Sequence, residues 1–149
     1  MQKKKSFGQH FLHDKKIVEK IVKSAELSSV DFIVEVGPGE GAMTKEIVDS
    51  PPFKGGVMGG SGKTQLILIE ADQDLIPGLE SKFTNAKIIQ ADAAKVDYTK
   101  LVPKKKSWML VGNLPYNAGN AIIMNALASE RPPLRLVVMV QKEVADRML

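Results

Sequence analysis

Five short apolar runs, each followed by a turn and then by a stretch with helical spacing, constrain this chain more than any other feature. They are FIVEV (32–36), QLILIEA (65–71), AKIIQAD (86–92), WMLVGN (108–113) and LRLVVMVQ (134–141). Runs that are apolar on both faces need cover on both faces. Such strands, separated by helices, predict an α/β fold: a parallel sheet of about five strands, helices on both sides, right-handed crossovers. Asp14 is expected to cap a helix over 15–27, with Ile17, Val18, Ile21, Val22 and Ala25 on one face. A second helix is expected from Gly41 to about Val48. Asp74 is the expected cap of a third, running to Phe83 with Pro77 in its first turn. Asn117 is expected to open a fourth, to about Ala128, turning Ile122, Ile123, Ala126 and Leu127 inward, and QKEVADRML (141–149) to start another. Residues 51–62 hold two Pro and five Gly, which predicts a flexible loop over 51–64. No internal repeat or domain boundary interrupts residues 1–149, a length suited to one domain.

Absent cysteine excludes disulfide scaffolds, cysteine zinc sites and thiol nucleophiles. No apolar run approaches the ~20 residues of a membrane span. The start, MQKKKSFGQHFL, has charge without an apolar core, so no secretory signal is expected and a cytoplasmic protein is. The net charge of +4 is unevenly placed. Residues 1–23 carry seven Lys against Asp14 and Glu19, while the remainder is nearly neutral, with a second cluster at Lys104–Lys105–Lys106. Clustered lysines gain salt-dependent affinity for a polyanion by counterion release, although a Lys-rich stretch is equally a solvated surface.

Ligands of open α/β sheets bind outside the carboxyl ends of the strands. There the sequence places Glu35-Val36-Gly37-Pro38-Gly39-Glu40-Gly41 at the end of the first strand, Glu70 and Asp72 at the second, Asp92-Ala93 after the third and Asn113-Leu114-Pro115-Tyr116 after the fourth. Gly37 and Gly39 allow backbone to approach a ligand closely. Glu70 ends an apolar strand, where a carboxylate is costly unless paired, and can accept both hydroxyls of a ribose; the alternative is a strand-end charge reaching water. Asp92 can accept from an adenine amino group, or serve only as a cap or turn residue. Two other motifs fail. Gly59–Thr64 ends like a phosphate-binding loop, but Val57 stands where its first Gly belongs, and a strand rather than a helix follows. His10 and His13 lack a carboxylate set that would complete a metal site. The G-x-G-x-G spacing also argues against a nicotinamide-dependent dehydrogenase.

The segments KKSFGQHFLHD (4–14), IVEVGPGEGAMTKEI (33–47), LILIEADQDLIPGL (66–79), AKIIQADAAKVDY (86–98), VGNLPYNAGNAII (111–123) and LVVMVQKEVADRML (136–149) run in a familiar order. The chain resembles the bacterial small-subunit rRNA adenine N6-dimethyltransferase family of S-adenosylmethionine-dependent enzymes, with FGQHFL and NLPY as the specific motifs. The resemblance implies a Rossmann-like class I methyltransferase core acting on small-subunit rRNA or the 30S particle, as a monomer, without metal or membrane. It implies that Gln9, His10 and Leu12 line the cofactor site. By the same resemblance Gly37 packs against the amino-acid part of S-adenosylmethionine, Gly39 also binds the cofactor, Glu70 holds its ribose, Asp92 its adenine amino group, and Asn113 sits between cofactor and target base.

The chemistry suits these residues. An adenine amino nitrogen is a poor nucleophile, because its lone pair is delocalised into the ring. The Asn113 side-chain carbonyl and the Leu114 backbone carbonyl can accept its two N–H bonds, Pro115 fixes the turn, and Tyr116 offers a stacking face for an extruded base. The chain departs from the family at His10, where Asn is common, in the glycine-rich 51–62 segment, and at Ala118-Gly119-Asn120. The family's catalytic domain continues with two more strands and a small helical domain, so the expectation here is an incomplete catalytic domain. Alternatives are a non-catalytic RNA- or cofactor-binding fragment of the fold, or a large-subunit rRNA adenine methyltransferase.

Overall fold

The computed structural model describes residues 14–54, 64–114, 117–140 and 145–147. Its sheet contains β1 (Phe32–Val36), β2 (Gln65–Glu70), β3 (Lys87–Gln90), β4 (Trp108–Asn113) and β5 (Arg135–Met139) in the order β3-β2-β1-β4-β5. Every pairing is parallel, as the doubly apolar runs require. The order reverses direction at β1, which puts a crevice between the loops leaving β1 and β4.

Helices α1 (Lys15–Ala25), α2 (Ala42–Val48) and α3 (Ile76–Lys82) pack on one face through Val18, Val22, Met43, Ile47 and Leu79 against Ile33, Leu68 and Met109. The short α4 (Tyr98–Leu101) and α5 (Gly119–Leu127) cover the other, with Tyr98, Ile122, Ile123 and Ala126 against Val34, Ile67, Ile69 and Leu110. Each such aliphatic side chain contributes roughly 1.5–3 kcal/mol on burial. Tyr98 also stacks on Trp108, ring centroids 5.1 Å apart. Arg135 Nη1 donates to the carbonyl of Ala25 and to Glu26 Oε2, tying the end of α1 to β5.

Several local expectations hold and several do not. Asp14 caps α1, its carboxylate accepting from the N–H groups of Lys16 and Ile17. α1 stops at Ala25, because Glu26 takes the left-handed conformation. Asp74 is not a cap. Asp72 plays that part instead, accepting from the Asp74 N–H at the head of a 3₁₀ turn (Gln73–Leu75) that leads into α3. Pro77 does stand in the first turn of α3, where its missing N–H costs nothing. α5 opens at Gly119 rather than Asn117, since its first bond runs from the Ile122 N–H to the Ala118 carbonyl. Leu127 is 51% exposed, not inward. It lies roughly 90° round the helix from the centre of the Gly119–Ile122–Ile123–Ala126 stripe, given 3.6 residues per turn. Residues 145–147 are helical, and β2, β3 and β5 are shorter than their apolar runs.

Gly41 illustrates how tightly the first face is built. Its φ is +98°, and a Cβ there would meet the Phe83 ring at 2.6 Å. Gly41→Ala is therefore expected to destabilise the fold by about 1–2 kcal/mol from the left-handed backbone alone. A thermal melt unchanged from wild type would contradict this account.

Candidate cofactor site at the carboxyl edge of the sheet

The turn after β1 is shaped by three positive-φ glycines, Gly37, Gly39 and Gly41. The Gly37 N–H donates to the carbonyl of Ile69, continuing the β1–β2 ladder past the strand. A Cβ on Gly37 would stand 3.6 Å from the Asn113 carbonyl oxygen. The loops leaving β1 and β4 thus approach each other where the strand order reverses. Gly112 makes that approach possible, because a Cβ there would lie 2.6 Å from the Val36 carbonyl.

Glu70 is 7% exposed and paired. Its Oε1 accepts from the Gly39 N–H at 2.9 Å and its Oε2 from the Asp72 N–H at 3.0 Å. The burial cost is thus met by two charge-assisted bonds to backbone. A carboxylate offers about four lone-pair sites, so one on each oxygen remains after these bonds. Two acceptors side by side, at the end of a central strand, match a vicinal pair of hydroxyls.

Asp92 is exposed and held in a turn, Oδ1 accepting from the Ala94 N–H at 2.9 Å. The loop around it is pinned from the α5 side. Asn125 Nδ2 donates to the carbonyls of Ala93 and Val96, and the Tyr98 hydroxyl donates to that of Ala93. Burial raises the Tyr98 pKa and the Asp92 charge raises it further, so the phenol keeps its proton. Both readings of Asp92 survive, because a turn residue so fixed still presents a carboxylate at this edge. Asn113 ends β4 and Leu114 is buried, its N–H donating to the Met139 carbonyl. Gln9, His10, Leu12, Pro115 and Tyr116 lie outside the described residues, as does most of the 51–64 segment.

The sequence counts Glu35 among the groups at the ligand edge but assigns it no role, and the structure buries it within the sheet. It sits mid-sheet beside Leu68 and Val111, 1% exposed, and accepts from the Thr44 hydroxyl at 2.6 Å. Burial pushes its pKa up to about 8. The Thr44 hydrogen bond opposes the shift and the Glu70 charge adds to it. Glu35 is therefore mostly a neutral acid at pH 7, joining β1 to α2 beneath the glycine turn. The signal was available as a carboxylate inside the apolar run FIVEV.

A cleft of about 670 Å³ lined by Val22, Glu26, Leu27, Glu46 and Ser50 opens near the ends of α1 and α2. It lies at the opposite end of the strands from the glycine turn, so the chemistry of the carboxyl edge is separate from it. Among the described residues there is no cluster of three potential metal ligands, and no helix is long and apolar enough to cross a membrane.

The family model for ribosomal RNA adenine dimethylase matches residues 1–149. The chain belongs to the ribosomal RNA adenine dimethylase family. Within it, the chain is 39% identical over 150 residues to the ribosomal RNA small subunit methyltransferase A of Hahella chejuensis, covering 99% of this chain and 50% of that protein. It is 41% identical over 145 residues to the protein of the same name from Maridesulfovibrio salexigens, covering 97% and 50%. The chain thus spans about half the length of the curated relatives it matches. Among solved structures it is similar to the 23S rRNA methyltransferase ErmE, with TM-score 0.67 and 26% identity, over 89% of this chain and 48% of that one. A dimethyladenosine transferase from Plasmodium falciparum superposes with TM-score 0.67 at 24% identity, over 89% and 44%, and shares the fold. Among its described residues the chain thus shares a Rossmann-like methyltransferase sheet, with five parallel strands.

Proposed function

We propose that this chain is the cofactor-binding core of an rRNA adenine N6-dimethyltransferase that moves methyl groups from S-adenosylmethionine to adenines of small-subunit rRNA. The observation that carries the reading is Glu70. A buried carboxylate at the end of β2, anchored to the glycine turn that leaves β1, keeps one acceptor position on each oxygen at the carboxyl edge. Family membership supplies the reaction class, and the names of the relatives supply the substrate.

The residues present fit such a cofactor. Glu70 would accept the ribose hydroxyls, the Gly37–Gly39 backbone would admit the amino-acid portion, and Asp92 would accept from the adenine amino group. Gln9, His10 and Leu12 would close the site from the N-terminal segment. Bound S-adenosylmethionine supplies an activated methyl, so the protein's task is mainly alignment. Asn113 and Leu114 would accept the N–H bonds of the target amine, with Pro115 fixing the turn and Tyr116 stacking on the base. The natural setting would be the cytoplasm, with the chain working as a monomer on small-subunit rRNA or the 30S particle. The full family enzyme would add two further strands and a helical domain.

Calorimetric titration with S-adenosylmethionine tests the cofactor half of this reading. Glu70→Ala is expected to weaken binding by about 100-fold or more, from two lost charge-assisted bonds of roughly 1.5–3 kcal/mol each. Heat-silent titration of the folded wild-type chain would reject the assignment. A second reading, a non-catalytic RNA- or cofactor-binding fragment, draws on the half-length match to the relatives. Transfer of tritiated methyl to unmethylated 30S subunits separates the two. The likeness to ErmE favours trying 23S rRNA alongside as the alternative substrate.

A further inference from the structure

The lysine cluster at 104–106 has no part in the site above. It lies at the other end of β4, which at about 3.3 Å per residue puts it roughly 17–20 Å from Asn113. Lys104, Lys105 and Lys106 are all exposed, yet the turn that carries them is fixed at both ends by buried Val102 and Trp108. The Lys106 N–H donates to the Pro103 carbonyl, and Lys105 takes the left-handed conformation at φ 66°. Asp31 clamps the turn from the β1 side. Its Oδ2 accepts from both the N–H and the hydroxyl of Ser107, while the N–H groups of Asp31 and Phe32 donate back to the Ser107 carbonyl. The Ser107 N–H bond and hydroxyl, with the Lys106 charge, hold Asp31 below the usual carboxylate range against the cost of desolvation. The neighbouring acid is thus committed to the turn's backbone.

Among the described residues the carboxyl edge carries Glu40, Glu70, Asp72, Asp74 and Asp92 against few cations, a field suited to a sulfonium and unsuited to phosphates. The described residues of that edge offer an RNA backbone little attraction, so a phosphate contact on another face would add to its grip. We propose that the Lys104–Lys106 turn is a second RNA-contacting surface, binding phosphates of a structured RNA long enough to reach both ends of the sheet. This rests on the proposed rRNA substrate and narrows it: at about 3.4 Å per stacked nucleotide, an adenine-containing trinucleotide would reach the carboxyl edge alone.

The test is equilibrium binding of the full chain to a small-subunit rRNA transcript and to an adenine-containing trinucleotide, each over a series of salt concentrations. For Lys104→Gln/Lys105→Gln/Lys106→Gln, affinity for the transcript is expected to fall by about tenfold or more. Its log–log salt slope should shrink by about 2, at roughly 0.7–0.9 for each phosphate no longer neutralised by a lysine. Affinity for the trinucleotide and for S-adenosylmethionine should stay at the wild-type value, which also reports that the variant is folded. Lys20→Gln/Lys23→Gln/Lys45→Gln removes the same charge from exposed positions on α1 and α2, and should cost the transcript less. Equal losses in the two triple variants, or an unchanged transcript slope in the first, overturns the assignment while leaving the methyltransferase reading intact. Failure of the wild type to bind any rRNA overturns both. Tighter binding of the wild type to phosphatidylserine vesicles than to rRNA, lost in the first variant, would instead make the turn a membrane contact.

Discussion

Asn113→Ala is expected to lower methyl transfer by about 10²–10³-fold, the range seen when one oriented group stabilising a transition state is removed. Cofactor affinity should change much less. Asn113 is delivered by the last residue of a central strand, so its backbone is fixed by the β4–β5 ladder as far as Met139. Gly112 lets that strand close on Val36, and the Asn113 carbonyl comes within van der Waals reach of the Gly37 position. Whatever occupies the glycine turn therefore lies next to Asn113. A side-chain carbonyl there, accepting from an amine, draws its nitrogen toward tetrahedral geometry and frees the lone pair. Alanine keeps the strand and removes the acceptor. Single-turnover transfer of tritiated methyl, read beside a calorimetric Kd on the same preparation, checks the split. A large drop in cofactor affinity with an unchanged single-turnover rate at saturation would move Asn113 from the reaction to cofactor binding alone.

Glu35 carries the second large effect, on stability. Its carboxyl keeps its proton to about pH 8 when folded, against an ordinary value of 4.5. Between those limits the folded chain binds more protons than the unfolded one, so stability falls as pH rises. The contribution is whole below about 4.5, lost progressively toward 8 and flat above, with a slope of up to about 1.4 kcal/mol per pH unit. Glu35→Gln retains the shape and a partner for Thr44 but has no proton to lose. Urea denaturation from pH 5 to pH 9 should show the variant gaining steadily on the wild type as pH rises, with the difference levelling off above about 8. Groups common to both proteins cancel in that difference. Parallel pH profiles would mean that Glu35 is already ionised in the fold.

The strands were legible because a parallel sheet's buried strands leave a dense apolar record; FIVEV and WMLVGN match β1 and β4 residue for residue. The carboxyl-edge residues followed from position alone, since strand ends and glycine turns can be counted. Partners were harder. Nothing local says that Asp72 rather than Asp74 takes the cap, because the choice depends on a 3₁₀ turn inserted before α3. α4 went unforeseen because four residues carry too little periodicity to register. The Asn125 clamp on the Asp92 loop and the Thr44–Glu35 bond join residues 29–32 and nine positions apart, and only the folded sheet brings them together.

The bond between Glu70 and the Gly39 N–H is made by the protein's own atoms, and that bears on how a ligand would arrive. A glycine-rich turn left loose would have to surrender its conformational freedom on binding, at about 1–2 kcal/mol of backbone entropy for each residue newly fixed. Here that loss is charged to folding. Association should therefore behave as entry into a preformed receptor, governed by encounter rather than by a slow rearrangement of the turn.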